Sequence, residues 1–501
     1  MEYKKNYSQC LFLFVCLAFV IRVFFWASSD ISHDEALSLG MYCYDLDGKS
    51  PGFFAIFRNY TLANNHFLSS ATYWLWLKIL PFRSNSFLVR LPSLLFAIST
   101  LWFISFKWRK YLGEYYSFVA SLVFATSFIY NSFSYQARGY SLSMFLSTCL
   151  VYCILEIVHS ATKKGQFMLC FLLFLQPLIM PSAAIISVAT SMILFTYCYL
   201  TERNFSKAVK IAMPGLLCSM LSASYYLTLG EQLRIAAANA GKGASLLWTR
   251  YSALGNVFLA FTLHTGILLI PLCVLLYTNT KKAFAEEKSD DATKRKTLVI
   301  FLFLFVSIIL ISIMYLFAPP SKLPYPRNSL VFLPFVSFAV ILAAAETNFL
   351  YKEQKLLLSL ILLFNFGIEY YYRQRTLTLV EAGKKPISLT MQLYRSANDF
   401  SKISKIFKEL PIKKDTLIFT QNYDLATMLW HTAAYNLPPE NLHSPNTIKN
   451  QLFSGYQKNQ NVIIIAQTEK QVEDFLEMLQ LSKERVRLQG NFSRRKLYVW
   501  Q

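Results

Sequence analysis

LVIFLFLFVSIILISIMYLF, residues 298–317, is a run of 20 residues without a charge. A helix needs about 20 apolar residues to cross ~30 Å of hydrocarbon, and in lipid the backbone must satisfy its own hydrogen bonds. The stretch therefore reads as a membrane-spanning helix. Working outward, apolar runs predict further spans at 10–27, 91–106, 115–133, 139–159, 166–180, 182–200, 210–229, 253–277, 329–345 and 355–372. Composition agrees: 54% of the 501 residues are hydrophobic and 15% are charged, where soluble domains carry about 25% charged. The fold class expected is a polytopic α-helical membrane protein of about 11 transmembrane helices, residues 1–379, with a soluble α/β domain at 380–501.

Charge sets the expected orientation. The net charge is +21, with 49 Lys and Arg against 28 Asp and Glu. The segment 67–80 decides the topology: if it crosses, every later basic loop inverts. If it lies in the interface, the charges sort cleanly. The inner segments then hold 18 basic residues in about 62 positions and the outer ones 11 in about 104, a roughly threefold difference in density. This predicts an inner N-terminus and an extracytoplasmic C-terminal domain. The basic residues are scattered between spans rather than gathered on one domain, which argues against nucleic acid as a partner.

The nine cysteines form no disulfide framework and no CxxC metal motif; only Cys43 lies in a polar loop. Lys4 and Lys5 before the first apolar run resemble a signal peptide, but no small-x-small cleavage site follows, so an uncleaved first span is expected. In the C-terminal region, 417–421 and 461–467 read as short buried strands and 496–500 as an edge strand. Helical spacing appears at 425–435 and 470–481.

The residues able to carry chemistry share the expected outer side. Asp34 and Glu35 follow the first span within Ser32-His33-Asp34-Glu35. Adjacent carboxylates suit a general base or a cation site, and equally a helix start capped by Ser32 or Asp34 through 35–44. His66 ends Asn64-Asn65-His66. Arg138 lies in Tyr135-Gln136-Ala137-Arg138-Gly139-Tyr140, where a planar guanidinium suits phosphate, or snorkels to the interface. Lys322 and Arg327 flank Pro324-Tyr325-Pro326, an extended loop able to hold cations over the membrane.

In order along the chain, the Asp-Glu pair, Asn-Asn-His, Val89-Arg90-Leu91-Pro92-Ser93 and the Gln-Ala-Arg-Gly-Tyr turn resemble the GT-C superfamily of membrane glycosyltransferases. The nearest branch includes the protein O-mannosyltransferases and the aminoarabinose transferase of lipid A. The likeness covers roughly residues 10–145 and, less well, Tyr325-Pro326-Arg327-Asn328. It implies a transmembrane catalytic domain over 1–379, with juxtamembrane helices in the outer loop 28–90. It also implies transfer of a sugar from a polyprenyl-phosphate donor to a lipid, glycan or protein acceptor. Asp34 and Glu35 would be catalytic, and His66, Arg138, Tyr140, Lys322, Tyr325 and Arg327 would bind substrate. Many relatives carry Pro-Pro after the residue matching His66, where this chain has Phe67-Leu68-Ser69.

Glycosyl–phosphate cleavage starts with a good leaving group, so a carboxylate plus cations suffices. No cofactor is required, although Asp34, Glu35 and His66 would admit a divalent cation. The resemblance points to a bacterial inner membrane with the C-terminal domain in the periplasm. A competing class is a transporter or flippase of lipid-linked saccharides. That class predicts related halves with broken helices, and no such symmetry is visible in the sequence.

Overall fold

The structure, a computed structural model, describes residues 2–43, 52–58, 65–79, 85–160, 162–230, 232, 247–284, 291–316, 326–349, 351–381, 402–403, 416–420, 442–443, 461–466, 469–479, 481–491 and 496–500. These fall into two units. The first comprises Met1–Phe25, Phe57–Ser69 and Arg90–Gln392; the second comprises Trp26–Ile56, Ser70–Val89 and Leu393–Gln501. The expected helix at 425–435 lies outside the described residues.

The chain is an integral membrane protein. Among the described residues, seven helices are long and apolar enough to cross a bilayer, from Ser86–Phe106 to Arg327–Glu346. An eighth is added if Arg109–Thr126 and Phe128–Ser134 form one span bent by 63°. Phe67–Ile79 is a helix of 13 residues, about 20 Å long at 1.5 Å per residue and too short to cross hydrocarbon.

The 63° bend has an identifiable cause. Ser127 sits in extended backbone (φ −65°, ψ 126°), and its hydroxyl accepts from Tyr130 N to start the second helix. The break leaves backbone carbonyls without helical partners at membrane depth, where each costs several kcal/mol if unmet. Side chains supply the donors. Asn131 Nδ2 donates to Ala125 O at 3.0 Å and Arg22 Nη2 donates to Thr126 O at 3.1 Å. Asn365 Nδ2 donates to Thr126 Oγ1 at 2.7 Å, and the His264 and Ser127 side chains are hydrogen-bonded at 2.7 Å. Arg22 also pairs with Glu369 and lies 4.2 Å from the Phe366 ring centre. Both charges of that pair fall inside runs whose overall apolarity marked them as spans.

In the second unit, five strands form one sheet in the order β2-β1-β3-β5-β4: β1 Leu417–Thr420, β2 Leu442–His443, β3 Val462–Ala466, β4 Val486–Asn491 and β5 Lys496–Trp500. β1 runs parallel to β2 and β3, and β5 runs antiparallel to β3 and β4. The strands expected at 417–421 and 461–467 are present and buried along their length. Strand 496–500 corrects an expectation, because it is paired on both sides rather than at the edge. On that side the edge is β4, whose Arg487, Leu488 and Gln489 are exposed. Glu469–Leu479 packs Val472, Phe475, Leu476 and Leu479 against Phe419, Ile464 and Trp500. That i, i+3, i+4, i+7 stripe is why the segment forms a helix over this sheet.

Candidate active site

The Asp-Glu pair is set by a local cap in the second unit. Ser32 is extended, its hydroxyl accepts from Glu35 N at 3.4 Å, and its own N–H donates to Glu35 Oε2 at 2.9 Å. This closed capping box starts His33–Ser38, which passes into a π turn, Leu39–Cys43, rather than the single helix expected to residue 44. Ser32 is thus the cap, and Glu35 is fully buried with its Oε2 accepting from the Ser32 backbone. Asp34 lies in the first turn, where the positive end of the helix dipole favours a carboxylate. Its backbone oxygen accepts from Ser38 Oγ at 2.9 Å, leaving the side chain outside the capping box. Cys43 is buried, and its thiol approaches Ser70 O at 3.2 Å. Burial pushes that thiol well above its ordinary value, so it is no nucleophile.

In the first unit, His66, Arg138 and Tyr140 come together although 72 residues separate the first two. Arg138 Nη2 lies 2.9 Å from His66 Nε2. A guanidinium only donates, so His66 accepts at Nε2 and, when neutral, carries its proton on Nδ1. The Arg138 guanidinium carbon is 5.2 Å from the Tyr140 ring centre, and the His66 ring meets Tyr140 edge-on at 5.7 Å. Arg138 is 3% exposed, so it is fixed inside the turn rather than snorkelling. A planar, permanently charged group held this way suits the paired oxygens of a phosphate.

The turn is held from the Arg90-Leu-Pro-Ser segment. Ser93 Oγ donates to Gln136 O at 2.5 Å, and the Arg90 guanidinium lies 5.2 Å from the Tyr135 ring centre with no solvent exposure. Gly139 belongs to the same lock. A Cβ there would meet His66 Nδ1 at 2.7 Å and Ile179 Cγ2 at 2.8 Å. Sequence reasoning did not rank Arg90, Ser93 or Gly139 as site residues. The signal was their presence in the two motifs, and the contact itself spans too many residues to be read from spacing.

Phe67, the residue after His66, seats in an aromatic cluster. It stacks on Phe57 at 5.9 Å and meets Tyr225 and Tyr226 at 5.3 Å each. Tyr226 OH donates to Pro177 O at 2.7 Å. Aromatic packing therefore holds the residue after His66. Arg327 is half-buried at the start of the 3-10 helix Pro326–Phe332, whereas Lys322 and Tyr325 lie outside the described residues. Among the described residues, no three His, Cys, Asp or Glu side chains are gathered as a metal ion needs.

No protein-family profile matches the sequence, and no curated protein matches it. Solved structures do match. ArnT from Cupriavidus metallidurans bound to undecaprenyl phosphate is similar with a TM-score of 0.56 at 8% identity, over 98% of this chain and 97% of that one. The same protein in the apo state gives 0.58 at 8% identity, over 99% and 98%. At that identity the likeness speaks for the fold, and it runs the full length of both chains. This chain shares the overall fold of those ArnT structures.

Proposed function

We propose that the protein is a glycosyltransferase that moves a hexosyl or pentosyl group from a polyprenyl-phosphate donor to an acceptor hydroxyl on the outer face of a bacterial inner membrane. The observation that carries the reading is the buried Arg138, held by His66 and Tyr140 in a turn braced by Ser93. The similar ArnT structure, which has undecaprenyl phosphate bound, supports the donor class.

In this reading the acceptor oxygen attacks the anomeric carbon, and the bond from that carbon to the phosphate oxygen breaks. Polyprenyl phosphate leaves with the electron pair, and Asp34 takes the acceptor proton. Arg138 neutralises the leaving phosphate; Arg327, Lys322 and Tyr325 complete the substrate contacts. Glu35 positions Asp34 through the cap rather than touching substrate. Phosphate is already a good leaving group, so orientation and charge neutralisation supply most of the barrier reduction. The test is transfer in reconstituted membranes with a panel of polyprenyl-phosphate sugars. One donor should release its sugar at a rate abolished by Asp34→Asn. Intact donors throughout the panel, with lipid-linked sugar crossing the bilayer instead, would overturn the reading in favour of transport.

A further inference from the structure

At the opposite end of the first unit from the Arg138 turn lies a cavity of about 420 Å³. Tyr140 and His159 stand near the two ends of one helix, Tyr140–Ser160, about 28 Å apart at 1.5 Å per residue. The cavity is therefore separate from the phosphate site described above, and it opens among the basic loops expected inside. Its volume falls in the range of small-molecule pockets, roughly 300–1,000 Å³.

The lining is graded. His159, Arg295 and Lys296 are exposed at the mouth. Leu155, Val299, Phe338 and Leu342 form a buried apolar wall, and Tyr111 and Tyr197 also line the cavity. Tyrosine is suited to that boundary, with an apolar ring and a polar tip. The acids close by are already matched: Glu346 accepts from Lys296 at 2.8 Å, and Glu156 accepts from Lys110 at 2.5 Å. That pairing ties Lys296 down and makes Arg295 the cation best placed for an incoming anion. A charged mouth over a hydrocarbon-like wall matches an amphiphile with an anionic head.

We propose that this cavity binds one anionic phospholipid from the adjacent leaflet, its phosphate on Arg295 and its upper acyl chain against Val299, Phe338 and Leu342. A soluble anion would have no use for the apolar wall, and a neutral lipid none for the arginine. A basic residue near an anionic membrane surface is worth about fivefold in binding.

The test uses full-length protein in phosphatidylcholine nanodiscs with a phosphatidylglycerol probe bearing a diazirine on its acyl chain. Labelling should map to peptides containing Leu155–His159 and Arg295–Val299 and fall at least fivefold in Arg295→Glu. Lys294→Glu, a neighbouring charge outside the cavity lining, should leave it unchanged. Val158→Trp, which fills the cavity from a half-buried position, should abolish labelling while the size-exclusion profile stays native. Equal labelling by a phosphatidylcholine probe, an equal drop in Lys294→Glu, or full competition by excess inorganic phosphate would each overturn the proposal.

Discussion

Gly139 stands between Arg138 and Tyr140, and the space for its missing side chain is taken by the His66 ring and Ile179. Gly139→Ala must push one of them aside. Ile179 is fully buried, so the imidazole is the part that yields, and it carries the hydrogen bond to Arg138. Overpacking of this kind costs about 1–3 kcal/mol. The variant should therefore fold with a modestly lowered melting point and lose most donor use. Activity equal to wild type would show that the His66–Arg138 contact is dispensable. Arg138→Ala should weaken donor binding strongly, and Arg138→Lys should restore little, since a point charge does not replace a bidentate fork. Asp34→Asn gives the widest separation of outcomes. Ser32 and Glu35 close the cap, so stability should change by only a few tenths of a kcal/mol. A lost general base costs 10²–10⁴ in rate. Near wild-type turnover would remove Asp34 from the chemistry.

Among the elements, the capped helix was legible because Ser32-x-x-Glu35 is a local pattern whose partners lie three residues apart. The same pattern allocates roles: Glu35→Ala should cost about 1 kcal/mol through the cap, and Glu35→Gln much less, because the amide oxygen still accepts from Ser32 N. Thermal denaturation of both variants checks this; equal losses would mean that the Glu35 charge matters beyond capping. The buried strands β1 and β3 were legible for a similar reason, as short apolar runs between polar segments. β5 was misplaced at an edge because its second partner, the polar segment Val486–Asn491, did not read as a strand. Its register shift between Leu488 and Gly490 hides the alternation that would have announced a strand. The bend at Ser127 was illegible as well. Ser127 is an ordinary residue within an apolar run, and beyond the local bonds of Ser127 and Asn131 the side chains that stabilise the break come from helices far away in sequence.

For the whole molecule, the charge distribution predicts that reporter fusions at Lys110 and Lys288 face inward and those at Asp47 and the C-terminus face outward. An inward C-terminus would overturn the topology and restore 67–80 as a crossing. The Arg22–Glu369 pair predicts a double-mutant signature, its side chains being 5% and 19% exposed. Arg22→Ala should cost about 3–5 kcal/mol by stranding the acid, whereas Arg22→Met with Glu369→Leu should cost far less than the two single changes summed. Additive losses would mean that the charges act independently. The pair also has a history within each molecule's synthesis. Arg22 enters the bilayer with the first helix, and its partner emerges about 350 residues later, roughly half a minute at ordinary ribosome speeds. Through that interval the first helix carries a cation that its eventual neighbour does not yet shield. A nascent chain of this protein therefore depends on the insertion machinery, on a snorkelling arginine, or on a chaperone-like lipid until the helix Gln354–Glu381, which carries Glu369, arrives. A ribosome stalled before Gln354 should leave a chain marked for quality-control proteolysis, although the seven candidate spans among the described residues are already made.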